Sequence, residues 1–118
     1  LVDDQPTNLE VGRGLLELLG CEVTVASDGH RFLQLACSSD FDLILMDCQM
    51  PGMDGAEATI ALRQQEEVRR LPPTAVIALS ADDAPETQRR CIEAGMNDFL
   101  KKPLREEALI AALRDWLS

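Results

Sequence analysis

Residues 43–55 read "LILMDCQMPGMDG", an apolar run that ends on Asp47 and passes straight into a Pro/Gly-rich turn. An ionised carboxylate at the end of a buried run costs free energy unless something pairs with it. Asp, Pro and Gly also punctuate ordinary turns. Whether Asp47 marks a turn or the mouth of a site therefore depends on the rest of the chain.

On both sides of this stretch, short apolar runs alternate with longer amphipathic ones, the signature of βα units and a parallel sheet. Five strands are expected. "LVD" (1–3) is a stub without an initiating methionine, read as the clipped end of a first strand in a domain cut from a longer protein. "CEVTVA" (21–26) alternates apolar and polar residues as an edge strand does. "DLILM" (42–46) and "TAVIAL" (74–79) are continuously apolar, as central strands covered on both faces should be. "NDFL" (97–100) is a short last strand. The first helix is expected to open at "TNLE", where Thr7 and Glu10 have capping-box spacing. Further helices are expected over 29–37, 56–69, 85–94 with Gly95 as its stop, and 104–117 with Leu109, Ala112, Leu113 and Trp116 on one stripe. "EEVRRLPP" (66–73) reads as a helix end with a solvated charge cluster.

The 118 residues suffice for one domain, 1–118, with a single core. A net charge of −10 argues against a nucleic-acid surface or an anionic membrane, since either would demand a basic patch. No apolar run reaches the roughly 18 residues of a membrane span, and nothing reads as a signal peptide. Cys21, Cys37, Cys48 and Cys91 form no C-x-x-C pair, and with His30 as the sole histidine no zinc site is recognisable. Buried, reduced thiols in a cytosolic protein are expected, with Cys48 set apart by its place beside Asp47.

Ligands of an open parallel sheet bind beyond the carboxyl ends of its strands. Those ends carry Asp3 and Asp4, Asp47, Ser80, and Lys101 and Lys102 before Pro103. Taken singly, each has a structural reading as a cap or a surface charge. Together they form one rim, on which carboxylates ~4 Å apart repel by about 4 kcal/mol per pair at an effective dielectric of about 20. A hard cation such as Mg²⁺ suits oxygen-only ligands. A carboxylate so neutralised can attack phosphorus, with Ser80 and Lys102 placed to hold phosphoryl oxygens.

In order and spacing, "VDDQPTNLE", "DLILMDCQMPGMDG", "ALSA" and "FLKKP" resemble the motifs of response-regulator receiver domains along essentially the whole chain. That resemblance implies a flavodoxin-like (βα)₅ doubly wound α/β fold, with a parallel five-stranded sheet of order 2-1-3-4-5. It implies Asp47 as phosphoacceptor and Mg²⁺ held by Asp3, Asp4, Asp47 and the backbone carbonyl of Gln49. Ser80 would be the switch hydroxyl, Lys102 the phosphate-binding lysine before a cis Pro103, and Phe99 the switch aromatic. The implied partner is a histidine kinase or histidine phosphotransfer domain, and the implied activity is the domain's own phosphorylation and slow dephosphorylation with no separate substrate. A cytoplasmic location and a phosphorylation-dependent dimer through the fourth helix, fifth strand and fifth helix go with it. "MDCQMPGMDG", "AGMNDFLKKP" and Asn8 most resemble receivers attached to hybrid sensor kinases. Gln49 and Asp82 are expected to border the phosphoryl group and tune its lifetime.

Two other readings stand beside this one. A haloacid-dehalogenase-like phosphatase also uses an aspartate nucleophile with Mg²⁺, but needs an acid/base Asp where this chain has Gln49. A phosphorylation-independent interaction module needs none of the rim chemistry.

Overall fold

A computed structural model describes residues 1–81 and 84–117. Three regular strands, β1 (Leu43–Asp47), β2 (Ala75–Ser80) and β3 (Asp98–Lys101), form a parallel sheet in that order. The register sets Asp47 beside Leu79 and Ser80 beside Lys101. Five helices surround it: α1 (Pro6–Leu18), α2 (Gly29–Ser38), α3 (Gly55–Val68), α4 (Pro85–Ala94) and α5 (Glu106–Leu117).

The first two expected strands are reduced to bridges. Val2 pairs in parallel with Ala26 on one side and Met46 on the other, through Val2 N–H to the Leu45 carbonyl (2.8 Å), Asp47 N–H to the Val2 carbonyl (2.9 Å) and Asp3 N–H to the Ala26 carbonyl (3.1 Å). The spatial order is therefore the 2-1-3-4-5 order of the doubly wound fold. Residues 21–25, expected as an edge strand, do not form a ladder. Their neighbour in the sheet is the three-residue segment 1–3, whose bonds reach only Thr24 and Ala26, too few to propagate a strand.

Side chains of the central strands alternate between two cores, as a period of two requires. Ile44, Met46, Val76 and Ala78 join Phe32, Ala58, Leu62 and Cys91 beneath α2, α3 and α4. Leu45, Ile77 and Leu79 join Leu16, Leu109 and Ala112 beneath α1 and α5. Both faces are covered, which explains why these strands read as unbroken apolar runs.

Helix termini depart from the sequence reading where local chemistry offers a better partner. α1 begins at Pro6 with Gln5 as its N-cap, so Thr7 lies inside the helix and the capping box does not form. Pro at the first helical position needs no N–H partner. α2 and α3 are capped by Asp28 and Asp54, whose carboxylates accept from Arg31 N–H (2.8 Å) and Glu57 N–H (2.9 Å). Gly95 ends α4 at φ 107°, as expected of a left-handed cap. On α5, Leu109 and Ala112 are buried while Trp116 is exposed, its indole N–H donating to Asp98 at 3.0 Å. Among the described residues no helix is long and apolar enough to cross a membrane.

Glu66, expected in a solvated cluster, is buried. Its carboxylate accepts from Arg63 Nη1 (2.8 Å) and Thr74 N–H (2.7 Å). The same guanidinium donates to the carbonyls of Thr74 (2.8 Å) and Gly95 (2.8 Å) and to the Asn97 side chain (2.9 Å). One arginine thereby ties α3, the entry to β2 and the turn after α4. Arg63→Ala would strand the buried Glu66 charge, and breaking such pairs costs about 3 kcal/mol. Urea unfolding should show a loss of that order, with Arg63→Lys recovering little because an ammonium cannot span the fork. A loss below about 1 kcal/mol, the range of an exposed pair, would contradict it.

Candidate functional site

The carboxyl ends of the sheet strands meet at one rim. Pairing of segment 1–3 with β1 carries Asp3 and Asp4 beside Asp47, and carboxylate oxygens of the three lie within 4.8 Å of one another. Asp3 and Asp47 are buried, Asp4 partly so. Lys102 reaches in from beyond β3, where its N–H bonds the Ser80 carbonyl at 2.7 Å and the Lys102–Pro103 peptide is cis. Its ammonium bridges Asp3 (2.9 Å) and Asp47 (3.1 Å).

Further hydrogen bonds hold the carboxylates in place. Asp3 accepts from Gln5 N–H at 2.9 Å and from the Asn8 side chain at 3.5 Å. Asp47 accepts from Gln49 N–H at 3.2 Å. Gly55 sits where a Cβ would overlap the Asp47 carbonyl, so the start of α3 packs directly on the backbone that presents Asp47.

Electrostatically the rim is under-neutralised. Burial pushes the Asp47 carboxyl up to about 6, only partly offset by Gln49 N–H and Lys102, with Asp3 adding to the rise. Burial alone would lower the Lys102 ammonium, but its bonds to Asp3 and Asp47 more than reverse this and hold it above the usual lysine range. Three carboxylates against one ammonium leave two negative charges, which one divalent cation would neutralise. All three acidic donors are oxygens, the ligand type for a hard ion, so this set fits Mg²⁺ and gives no purchase to a soft metal.

Of the residues singled out in the sequence, Asp3, Asp4, Asp47 and Lys102 come together directly. Ser80 is buried at the end of β2, in register beside the residue preceding Lys102. Phe99 is half-buried on β3, paired with Ala78 and packed against the core beneath α2, α3 and α4. The Gln49 side chain is exposed, and its backbone N–H rather than its side chain meets Asp47. Asp82 lies outside the described residues.

Two features escaped the sequence reading. Arg90 on α4 pairs with Asp54 at 2.6 Å and approaches Glu57 at 3.9 Å, linking α4 to the segment that follows Asp47. Beside that link, the sulfurs of Cys48 and Cys91 are 3.0 Å apart. Both are buried, but Cys21 is only half-buried and Cys37 is exposed, its thiol on the Gln65 side chain at 3.3 Å. The expectation of four buried thiols is thus corrected, because α2 turns Cys37 outward.

A parallel sheet wound on both faces, with an acidic cluster and a bridging lysine at its strand ends, defines a receiver-type α/β domain. The chain belongs to the response regulator receiver domain family, whose model matches residues 1–114. It is 39% identical over 115 residues to the sensor histidine kinase GacS of Pseudomonas protegens, covering 98% of this chain and 12% of that protein. It is 40% identical over 108 residues to the signal transduction histidine-protein kinase BarA of Escherichia coli, covering 92% and 11%. The chain thus spans about one-eighth of the length of these relatives. Among solved structures it is similar to chemotaxis protein CheY4 of Vibrio cholerae, with TM-score 0.89, 30% identity, and 98% and 93% of the two chains covered. It is also similar to the receiver domain of a sensor histidine kinase from Pseudomonas aeruginosa with a magnesium ion in its active-site cleft, with TM-score 0.86, 40% identity, and 98% and 93% covered.

The raised Asp47 carboxyl yields a stability test. The folded state holds this proton more tightly than the unfolded chain, so between about pH 4 and about pH 6 ionisation progressively destabilises the fold. In metal-free buffer at pH 7, Asp47→Asn should therefore be more stable than the parent by about 2 kcal/mol. The gain should shrink as pH falls from about 6 to about 4. Urea unfolding across that range is the measurement, and a variant less stable than the parent at pH 7 would contradict the assigned charge imbalance.

Proposed function

We propose that residues 1–118 form one receiver domain that accepts a phosphoryl group on Asp47 from a phosphohistidine of a histidine kinase or histidine phosphotransfer domain. The observation that carries this reading is the buried Asp47 carboxylate, held by Lys102 within reach of Asp3 and Asp4. An Asp47 oxygen attacks phosphorus while the bond from phosphorus to the donor imidazole nitrogen breaks, and its electron pair stays on that nitrogen. Asp3, Asp4, Asp47 and the Gln49 backbone carbonyl would hold Mg²⁺, which supplies charge neutralisation between the carboxylate and the anionic phosphoryl group. Ser80 and Lys102 hold phosphoryl oxygens through a hydroxyl hydrogen bond and a charge-assisted one. Water attack at phosphorus then releases phosphate and restores Asp47, with Gln49 and Asp82 setting water access.

The cleft lined by Asn8, Val11, Gly12, Pro103 and Leu104 opens next to Asp3 and Lys102, which supports approach of the donor domain over α1. The added charge draws Ser80 toward the phosphoryl group and lets Phe99 repack, altering the face of α4, β3 and α5. That face is the proposed site of a phosphorylation-dependent dimer. α4 is suited to respond, because only Cys91 and Ala94 of it are buried while Ile92 is 66% exposed. We place the domain in the cytoplasm as part of a hybrid sensor kinase. With a net charge of −10 it is not a nucleic-acid-binding module.

Acetyl phosphate with Mg²⁺ should label the parent with a hydroxylamine-labile phosphoryl group, and chelation or Asp47→Asn should abolish labelling. Undiminished labelling of Asp47→Asn would overturn the assignment. Lys102→Ala should slow labelling by about 10²-fold, the scale for losing one stabilising group. Ser80→Ala should leave Asp47 able to take a beryllofluoride mimic yet remove the amide-signal changes across residues 85–109. Phe99→Tyr should preserve labelling while altering those signals, and an unresponsive α4 in the parent would contradict the switch.

A further inference from the structure

We propose that Cys48 and Cys91 form a reversible intramolecular disulfide that locks α4 to the phosphoacceptor loop. The clause that concerns phosphorylation rests on the function proposed above, whereas the bond itself does not.

Cys48 directly follows Asp47 in the chain. It is fixed by its N–H to the Leu79 carbonyl (2.9 Å) and by its carbonyl, which accepts from Gly55 N–H (3.3 Å). Cys91 sits on the inner face of α4. Their sulfurs, 43 residues apart in sequence, are 3.0 Å apart within the core, about 1 Å beyond a disulfide bond. Both thiols are buried at 5% and 3% exposure, so the pair excludes bulky thiol partners and favours its own closure. The sulfurs share a hydrogen bond in which either thiol can donate. The contact with Cys48, with Arg90 beside it, lowers the Cys91 thiol, and the step is written here from its sulfur because a thiolate is the attacking form.

A small peroxide is the oxidant this chemistry needs. The Cys91 sulfur attacks one peroxide oxygen, forming S–O and breaking O–O, and the departing oxygen leaves as water with the thiol proton. Cys48 then attacks the Cys91 sulfur, forming S–S and breaking S–O, and its proton leaves with the hydroxyl as a second water. Two thiols are oxidised and one peroxide is reduced to two waters. A dithiol reverses the bond by exchange once local opening of α4 exposes it.

The consequence follows from what holds α4. Its ties to the Asp47 loop include the Arg90 pair to Asp54, in which the Arg90 side chain is 59% exposed, and this thiol contact. An exposed pair yields readily, whereas a covalent bond does not. Oxidation would leave the Asp3, Asp4, Asp47 and Lys102 cluster intact while withholding the α4 movement that reports it.

The test uses the domain with Cys21→Ser and Cys37→Ser, which removes the other thiols. Peroxide should abolish both remaining free thiols in a monomer, a proteolytic digest should contain the Cys48 and Cys91 peptides joined, and dithiothreitol should restore both thiols. Amide hydrogen exchange of α4 should slow on oxidation, a readout needing no phosphoryl mimic. With beryllofluoride, α4 signals should shift in the reduced domain and not in the oxidised one. Persisting free thiols, or oxidation of one cysteine without a joined peptide, overturns the bond. A joined domain whose α4 exchanges as fast as before overturns the lock. If beryllofluoride binds neither form, the phosphoacceptor reading fails, and the digest and exchange results still decide the disulfide.

Discussion

The Lys102 ammonium, set between Asp3 at 2.9 Å and Asp47 at 3.1 Å, is the contact on which the architecture of the rim depends. It joins the first and last pieces of the sheet across the strand that carries Asp47. Each of those pieces is short: segment 1–3 is held by bridges at Val2, and β3 has four residues. Without the cation, two buried carboxylates would face one another with only N–H groups to stabilise them, a costly arrangement at low dielectric. With it the rim still sets three carboxylates against one ammonium, and burial, only partly offset by Gln49 N–H and Lys102, pushes the Asp47 carboxyl up to about 6. A site poised in this way gains from a divalent cation and, once that cation is present, from an anionic group beside Lys102 and Ser80. The same imbalance that costs stability in the metal-free protein is what makes the rim receptive.

Much of this was legible in the sequence because the site is written in one dimension. In a doubly wound sheet the active groups lie at strand ends, so a reader who finds the apolar runs also finds Asp3, Asp4, Asp47, Ser80 and Lys102. The central strands announced themselves by continuous burial, and Gly95 by its need for a positive φ. What failed depended on partners far away in sequence. Residues 21–25 alternate like a strand, yet a strand needs a neighbour, and segment 1–3 offers too few backbone groups. Thr7 and Glu10 have capping-box spacing, yet Pro6 starts the helix before them.

Helix-to-helix contacts were the least legible. Glu66 reads as one charge in a polar run, and only the packing of α3 against the turn after α4 reveals that Arg63 buries it. Asp54 reads as a turn residue, whereas it caps α3 and holds Arg90 of α4. The Cys48 to Cys91 contact has no signature in spacing, because it arises where the carboxyl end of one strand meets the helix of the next βα unit. These three contacts share a physical role: they tie α4 and its flanks to the framework that carries Asp47. α4 itself buries little, only Cys91 and Ala94, so such ties carry much of its attachment.

The central claim is that Asp3, Asp4 and Asp47 form one metal-dependent phosphoryl site. Diffraction from crystals grown with Mn²⁺ and beryllofluoride, with anomalous data at the manganese edge, tests it most directly. One anomalous peak is expected among the three carboxylates, with beryllium bonded to an Asp47 oxygen and its fluorines beside Lys102 and Ser80. Manganese elsewhere on the acidic surface, or beryllofluoride on any other carboxylate, would contradict it.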